Sequence, residues 1–281
     1  MRAKISRLLK SFLIHCILVS FSIFVLIPIY WNVITSFKTP VELSRIPPTI
    51  VPQYPTLDYY YDLLTMRHFA ELIRNSVIVS VGNASISTLI GTLLGYSISK
   101  LVLSKQRKEL LTILVAAFKS FPVLILIIPY YMFLNSIHLI DTWIGLIIPY
   151  LTFGVPFATW TMKGFFDEFP QSMEEAPLID GCSRIGGFFR ITLMILLPSI
   201  FVVFIFTFLY SWNEFLYALI LTSTYNSQTV TIGVFATVSK WEIAWPKIAA
   251  AGVMSALPVL ALFMIVRRYI VRGIVFGIVK G

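Results

Sequence analysis

The chain has 281 residues, of which 58% are hydrophobic and 12% charged, with a mean hydropathy of +0.86. Soluble domains run at about 45–50% apolar and about 25% charged, so these values exclude an ordinary soluble domain and are far too apolar for a disordered chain. The 22 Lys and Arg against 13 Asp and Glu leave a net charge of +9, which fits loops facing an anionic membrane surface better than nucleic acid.

A membrane-spanning helix needs about 20 mostly apolar residues, because lipid cannot satisfy exposed backbone groups. Stretches free of Asp, Glu, Lys and Arg, with Lys119 admitted inside a helix, predict six spans at roughly 11–35, 74–99, 110–134, 142–162, 196–221 and 248–268. The basic start, MRAKISRLLK, has the look of a signal peptide. The apolar part behind it is too long and lacks a small-x-small cleavage site, so it reads as a retained span. An even number of spans puts both termini on one face. That face carries fifteen Lys and Arg, at the two ends and in the loops 100–109 and 163–195, and the other face carries six. The bias places both termini in the cytoplasm.

On the outer face the pattern leaves a proline-rich loop over 36–73, a short loop near Asp141 and a longer one over 222–247. The first loop reads equally as a passive connector or as an ordered contact surface. Gly91 and Gly95 in the second span have the spacing that lets helices approach closely.

The sequence carries no G-x-x-x-x-G-K-[ST], H-E-x-x-H, C-x-x-C or G-x-S-x-G, so it predicts no phosphate cradle, metal site or nucleophile of its own. His15, His68 and His138 are scattered, and Cys16 and Cys182 make no disulfide framework. No catalytic residue, metal ligand or bound cofactor is expected.

The longest cytoplasmic loop, 163–195, is not a random polar connector. Pro170 suits the first position of a helix, Glu174 and Glu175 fall where the helix dipole favours anions, and Gly181 is a natural break. Ser183 can cap a second helix continuing into the fifth span. Phe165, Phe166, Phe169, Phe188 and Phe189 exceed what a solvated loop needs, which points to a docking surface, or to an amphipathic segment lying on the membrane.

At Glu174-Glu175-Ala176-x-x-x-Asp180-Gly181 the chain resembles the EAA loop of binding-protein-dependent ABC importer permeases. Two departures are Pro177, where the family has its second alanine, and Met194, where it has a proline; Pro198 follows one turn later. Pro177 is expected to kink or end the first helix. The resemblance runs along most of the chain. It takes in Ser36 to Pro40, Asn75-Ser76, Ile128-Pro129-Tyr130, Ile140-Asp141-Thr142, Trp212-Asn213-Glu214-Phe215, and the tail from Arg268-Tyr269 to Val279-Lys280-Gly281. These blocks are similar to the smaller, six-span permease of the maltose-type carbohydrate uptake pair, the G-type subunit.

The resemblance implies an all-α membrane protein in a prokaryotic inner membrane, with six transmembrane helices, cytoplasmic termini and coupling helices between helices 4 and 5. It implies a second homologous permease, an ATPase dimer that uses ATP and Mg, and an extracytoplasmic sugar-binding protein as partners. Glu174, Glu175, Ala176, Asp180 and Gly181 would dock the ATPase, whose closure would switch the permease between outward- and inward-facing states and move a sugar inward. Trp212, Asn213 and Glu214 either line the sugar path, with Trp212 as a stacking face, or serve packing and the interfacial aromatic belt. Lys119 pairs with Glu214, snorkels, or faces a cavity. Rival readings are the same machine for glycerol phosphate or a polyol, a secondary transporter, which would want paired intramembrane carboxylates or inverted repeats, and a membrane scaffold.

Overall fold

The computed structural model describes residues 2–101, 104–179, 181–238 and 244–278, and every regular element among them is helical. The chain divides into two compact units.

The first unit takes residues 1–68 and 234–256. It contains α1 (Arg2–Thr35), α2 (Pro40–Leu43), α3 (Asp58–Thr65) and the opening turns of the last helix. At 1.5 Å per residue the 34 residues of α1 extend about 51 Å, more than the hydrocarbon core of a bilayer. Its apolar side chains from Phe12 to Val33 are largely exposed. The segment after α1 is no slack connector. It folds around two buried charges, Lys38 and Glu42. The Lys38 ammonium donates to the Thr49 carbonyl and sits 4.7 Å from the centre of the Trp31 ring. Glu42 Oε1 accepts from Thr49 Oγ1 at 2.6 Å and from the Gln53 amide at 2.9 Å. The Thr49 hydroxyl is the main cause holding the Glu42 carboxyl below the usual carboxylate range, against burial, with the Gln53 and Tyr54 amides and Lys38 adding to it. Phe37 and Tyr60 pack with ring centres 5.4 Å apart, and Asp62 pairs with Lys247.

The second unit takes residues 69–233 and 257–281. It opens with α4 (Phe69–Lys100), α5 (Lys105–Lys119), α6 (Val123–Ser136) and α7 (Trp143–Glu168). Two short helices follow, α8 (Gln171–Ile179) and α9 (Arg184–Gly187), then a π-helical turn over Phe188–Thr192 and α10 (Leu193–Ile195). The remaining helices are α11 (Leu197–Trp212), α12 (Leu216–Leu221), α13 (Val230–Phe235), which ends just beyond the unit boundary, and the later part of α14 (Trp245–Ile278).

The backbone of this unit is the α4–α7 seam, and glycine makes it. A Cβ at Gly91 would stand 2.7 Å from the Ala158 carbonyl carbon, and one at Gly95 would stand 2.8 Å from the Lys163 nitrogen. A Cβ at Gly154 would meet Ser87 and Asn83. The Gly91/Gly95 spacing therefore does what small residues do in membranes, letting two backbones touch. Along the same face of α4 runs a buried polar stripe. In it Ser87 Oγ donates to Asn83 Oδ1 at 3.0 Å and Asn83 Nδ2 donates to Ser211 Oγ on α11 at 2.5 Å. One apolar core gathers Val79, Leu134, Leu146, Tyr150 and Tyr217; a second gathers Ala158, Met162, Phe166, Phe188 and Val203.

Among the described residues four helices are long and apolar enough to cross a membrane, over Lys10–Thr35, Phe69–Lys100, Trp143–Glu168 and Trp245–Arg267; two bent pairs bring the number to six if each is one span. Those pairs correct the sequence expectation. The third span, expected straight over 110–134, is α5 and α6 meeting at 86°. Pro122 caps α6 there, and its missing N–H ends the ladder of α5. The fifth span, expected over 196–221, turns by 72° between Arg184–Ile195 and Leu197–Trp212, with Pro198 in the new first turn. It stops again at Asn213 before α12. The second loop helix therefore does not run straight into the fifth span. The fourth span reaches Glu168 rather than 162.

Candidate functional site

The segment from α8 to α10 carries the first group of expected site residues. Ser183 caps α9 by accepting from the Gly186 amide at 3.1 Å, and Gly181 has a φ of +84°, the left-handed turn its position calls for. Pro177 does not end α8, which runs on to Ile179. The proline is buried, and a Cβ on Gly187 would lie 3.4 Å from its own Cβ, so it is a packing contact between α8 and α9.

Glu174 and Glu175 part company. Glu174 turns inward: its Oε1 accepts from the Tyr96 hydroxyl at 3.2 Å and its Oε2 lies 3.3 Å from the Lys100 ammonium, both at the end of α4. Lys100 also donates to the Phe169 carbonyl at 3.0 Å. Glu175 is exposed and accepts from Gln171 one turn back at 2.7 Å, and Ala176 is exposed beside it. Asp180 lies outside the described residues. Around them Met173, Ile179, Ile185 and Phe189 hold apolar side chains in the open, with Ile179 85% and Ile185 71% exposed.

The second group flanks a cavity of about 770 Å³, lined by Lys119, Phe153, Phe157, Tyr210, Asn213 and Glu214 among others. Trp212 does not face it. Its ring is buried and stacked on Phe208, centres 5.6 Å apart and planes 19° apart, which corrects the stacking-face expectation. Asn213 is exposed, its Nδ2 donating to the Leu209 carbonyl at 2.7 Å. Glu214 is tied down. Its Oε2 accepts from the Tyr150 hydroxyl at 2.8 Å and the Ala218 amide at 3.3 Å, and its Oε1 accepts from the Tyr217 amide at 3.0 Å. The carboxylate thus satisfies the free N–H groups that open α12, which is why the fifth span can break there. Lys119 faces the cavity with its ammonium 5.7 Å from the centre of the Phe157 ring.

At the other end of α4, Asp141 organises the loop after α12. Its Oδ1 accepts from the Ser223 amide at 2.8 Å, the Thr224 amide at 3.0 Å and the Ser227 hydroxyl, while Oδ2 accepts from the Thr224 hydroxyl at 2.7 Å. Burial alone would raise its pKa, but these four donors hold it below the usual range. Asn75 adds bonds to the Tyr225 and Gln228 carbonyls, and Ser76 accepts from the Val230 amide at 2.7 Å. Reading for sites in the sequence missed Tyr96, Lys100 and Tyr150. The available signal was a last-turn cation, Lys100, with a first-turn carboxylate, Glu174, to meet it.

Residues 87–276 match the family described as binding-protein-dependent transport system inner membrane component. The chain is 32% identical over 256 residues to the sulfoquinovosyl glycerol transport system permease of Agrobacterium fabrum, covering 91% of this chain and 89% of that one. It is 28% identical over 277 residues to the trehalose/maltose transport system permease of Thermococcus litoralis, covering 97% and 98%. Its fold is similar to a chain of a bacterial ABC transporter involved in the import of the acidic polysaccharide alginate, with a TM-score of 0.75 and 17% identity over 94% of this chain and 98% of that one. The matched stretch takes in the α8–α10 segment and the cavity alike, and the chain belongs to the family of binding-protein-dependent transport system inner membrane components, the permeases of ABC importers.

Proposed function

We propose that the chain moves a sugar across the inner membrane by alternating access, with α8 and α9 docking a separate ATPase that drives it. The observation that carries this reading is the apolar surface left open by Met173, Ile179, Ile185 and Phe189 on two short helices. Apolar side chains on an ordered lump outside the spans are costly unless a partner covers them. Glu175 and Ala176 lie on the exposed part of α8 and Gly181 makes its turn, so the docking assignment rests on them, with Asp180 carried by the motif alone. Glu174 belongs to the tether to α4 rather than to the docking face.

The Lys and Arg bias supports placing this lump and both termini on the cytoplasmic side, and the Asp141 end of the second unit outside, where a sugar-loaded binding protein would dock. The exposed apolar length of α1 supports a cover of lipid and a second, homologous permease. The sugar assignment rests on the named cargoes of similar permeases, and the cavity beside Asn213 and Glu214 is the candidate path. ATP and Mg would act in the partner ATPase.

The test is co-purification from detergent-solubilised membranes, comparing wild type with Gly181→Pro combined with Glu175→Lys. Proline locks φ near −65° and cannot adopt the +84° of Gly181. The expected result is loss of the ATPase with the second permease retained. A chain that purifies alone and moves solute in liposomes without ATP would be a secondary transporter instead.

A further inference from the structure

Lys119 is the feature that the transport reading leaves unused. It ends α5, about 21 Å along the helix axis from Lys105, at the 86° bend of the third span. An ammonium at such a place is expensive and ordinarily pairs or faces water. Among the described residues Lys119 makes no ion pair, and the aromatic face of Phe157 answers only part of its charge. The last carbonyls of α5 do not occupy it either, since those of Ala116, Ala117 and Phe118 accept from the Ser120 amide. Glu214 shares the cavity, but its carboxylate is held by Tyr150 and the first amides of α12. The open volume thus holds one uncommitted cation, an exposed amide at Asn213, and the faces of Phe153, Phe157 and Tyr210. Its volume, about 770 Å³, is in the range that encloses a small organic molecule.

Resting on the sugar-transport reading, we infer that this cavity selects a sugar bearing an anionic substituent, a carboxylate or sulfonate, which Lys119 binds. A sugar ring offers a C–H face to the aromatic walls and hydroxyls to Asn213. An ammonium–anion contact is charge-assisted, shorter and about twice as strong as a hydrogen bond between neutral groups. A neutral sugar offers the ammonium no anion to bind, so the same lysine favours the charged cargo over it.

The experiment uses the intact importer, with its second permease, ATPase and binding protein, in proteoliposomes. Two matched pairs serve as probes: glucose with glucuronate, and maltose with its C6-carboxylate. Uptake and ATP hydrolysis are measured for wild type, Lys119→Met and Lys119→Arg. The expected result is a wild-type preference for the anionic member of at least one pair, about tenfold or more, the size of a lost charge-assisted contact. Lys119→Met erases it and Lys119→Arg keeps most of it. A wild type that carries the neutral member equally well overturns the inference while leaving the sugar importer standing. So does a Lys119→Met variant that keeps the anionic preference, since the selection then resides in the binding protein. A variant that changes only the dependence of thermal stability on phosphatidylglycerol assigns Lys119 to a lipid headgroup and also overturns it. If no probe drives uptake or ATP hydrolysis, the sugar reading itself fails and the inference with it.

Discussion

The two ends of α4 are held in opposite ways. At its start, Asn75 and Ser76 bind the loop over 225–230, and Asp141 takes four donors from the same loop. The polar groups gathered there answer one another. At its finish, Tyr96 and Lys100 hold α8 through one carboxylate, Glu174, while the flanking side chains of α8 and α9 stand open and apolar. The first end is finished by its own hydrogen bonds, and the second leaves apolar side chains open, as the proposed docking of an ATPase would need. The contrast separates a surface that is already shaped from one whose apolar contacts are unmade, without reference to any relative. A loop that spends its polar groups internally has fixed its shape, whereas a tethered helix with exposed isoleucines has apolar contacts still unmade.

The largest effect is expected where the two ends are joined. Gly91→Leu forces a side chain into the Ala158–Thr159 backbone, and neither helix can move away without opening the whole seam. A cost of about 3 kcal/mol is expected, at the upper end of the usual overpacking range. Both ends should loosen together, read as a fall in monodisperse yield and in the Tm of the solubilised chain. If only one end loosened, α4 would not be the common strut.

Asp141→Ala should act at one end alone. It strips four donors of their acceptor, for about 1–3 kcal/mol. The amides of 223 and 224 should lose protection in pulsed hydrogen exchange while α8 keeps its own. The pH dependence has a defined sign. The folded pKa of Asp141 is lowered, so its contribution is present above the unfolded pKa and is lost as pH falls through the folded value. Protection of this loop should therefore persist through mild acid and fail only below the ordinary Asp value of about 3.9. Failure near pH 6 would mean that another group holds the loop.

Lys100→Met tests the other end and should be milder in stability, about 1 kcal/mol, because the Tyr96 hydroxyl still holds the Glu174 carboxylate when the largely buried pair is broken. The effect should appear in coupling. The ATPase still co-purifies, since the exposed face is untouched, but less transport accompanies each ATP hydrolysed. Equal loss of binding and of coupling would make Lys100 part of the docking surface rather than of the tether.

Much of this is legible in the sequence alone. Runs free of charge located the long apolar helices, Gly91 and Gly95 announced the seam, and Gly181 with Ser183 marked the turn between α8 and α9, because these features depend on neighbours in sequence. What hydropathy missed were the breaks. The segments on either side of Asn213-Glu214 are apolar, so a window passes over the point where Glu214 takes the amides of Tyr217 and Ala218. Pro122 stands among residues as apolar as a continuous helix would supply. The division of Glu174 from Glu175 was equally invisible: adjacent residues on a helix differ by about 100° in direction, and only the position of Lys100 decides which one is held. The charges of Lys38 and Glu42 gave no hint that both would be buried in one loop.

Pro177→Ala carries the smallest expected effect and the finest distinction. The sequence predicts that Pro177 kinks or ends the first loop helix; the structure carries α8 two residues past it. Alanine would restore a backbone bond to the Met173 carbonyl, worth about 1 kcal/mol net. It would also remove two ring methylenes from the contact with Gly187, worth about 0.8 kcal/mol each when fully buried. The two nearly cancel, so the Tm should move by no more than a degree or two and ATPase capture should be unchanged. That indifference is informative because Ala176, next to it, is exposed where Pro177 is buried. If Pro177→Ala released the ATPase as fully as Gly181→Pro with Glu175→Lys, the buried side of α8 would be setting the shape of the exposed one. The tether and the docking face would then be a single device rather than two.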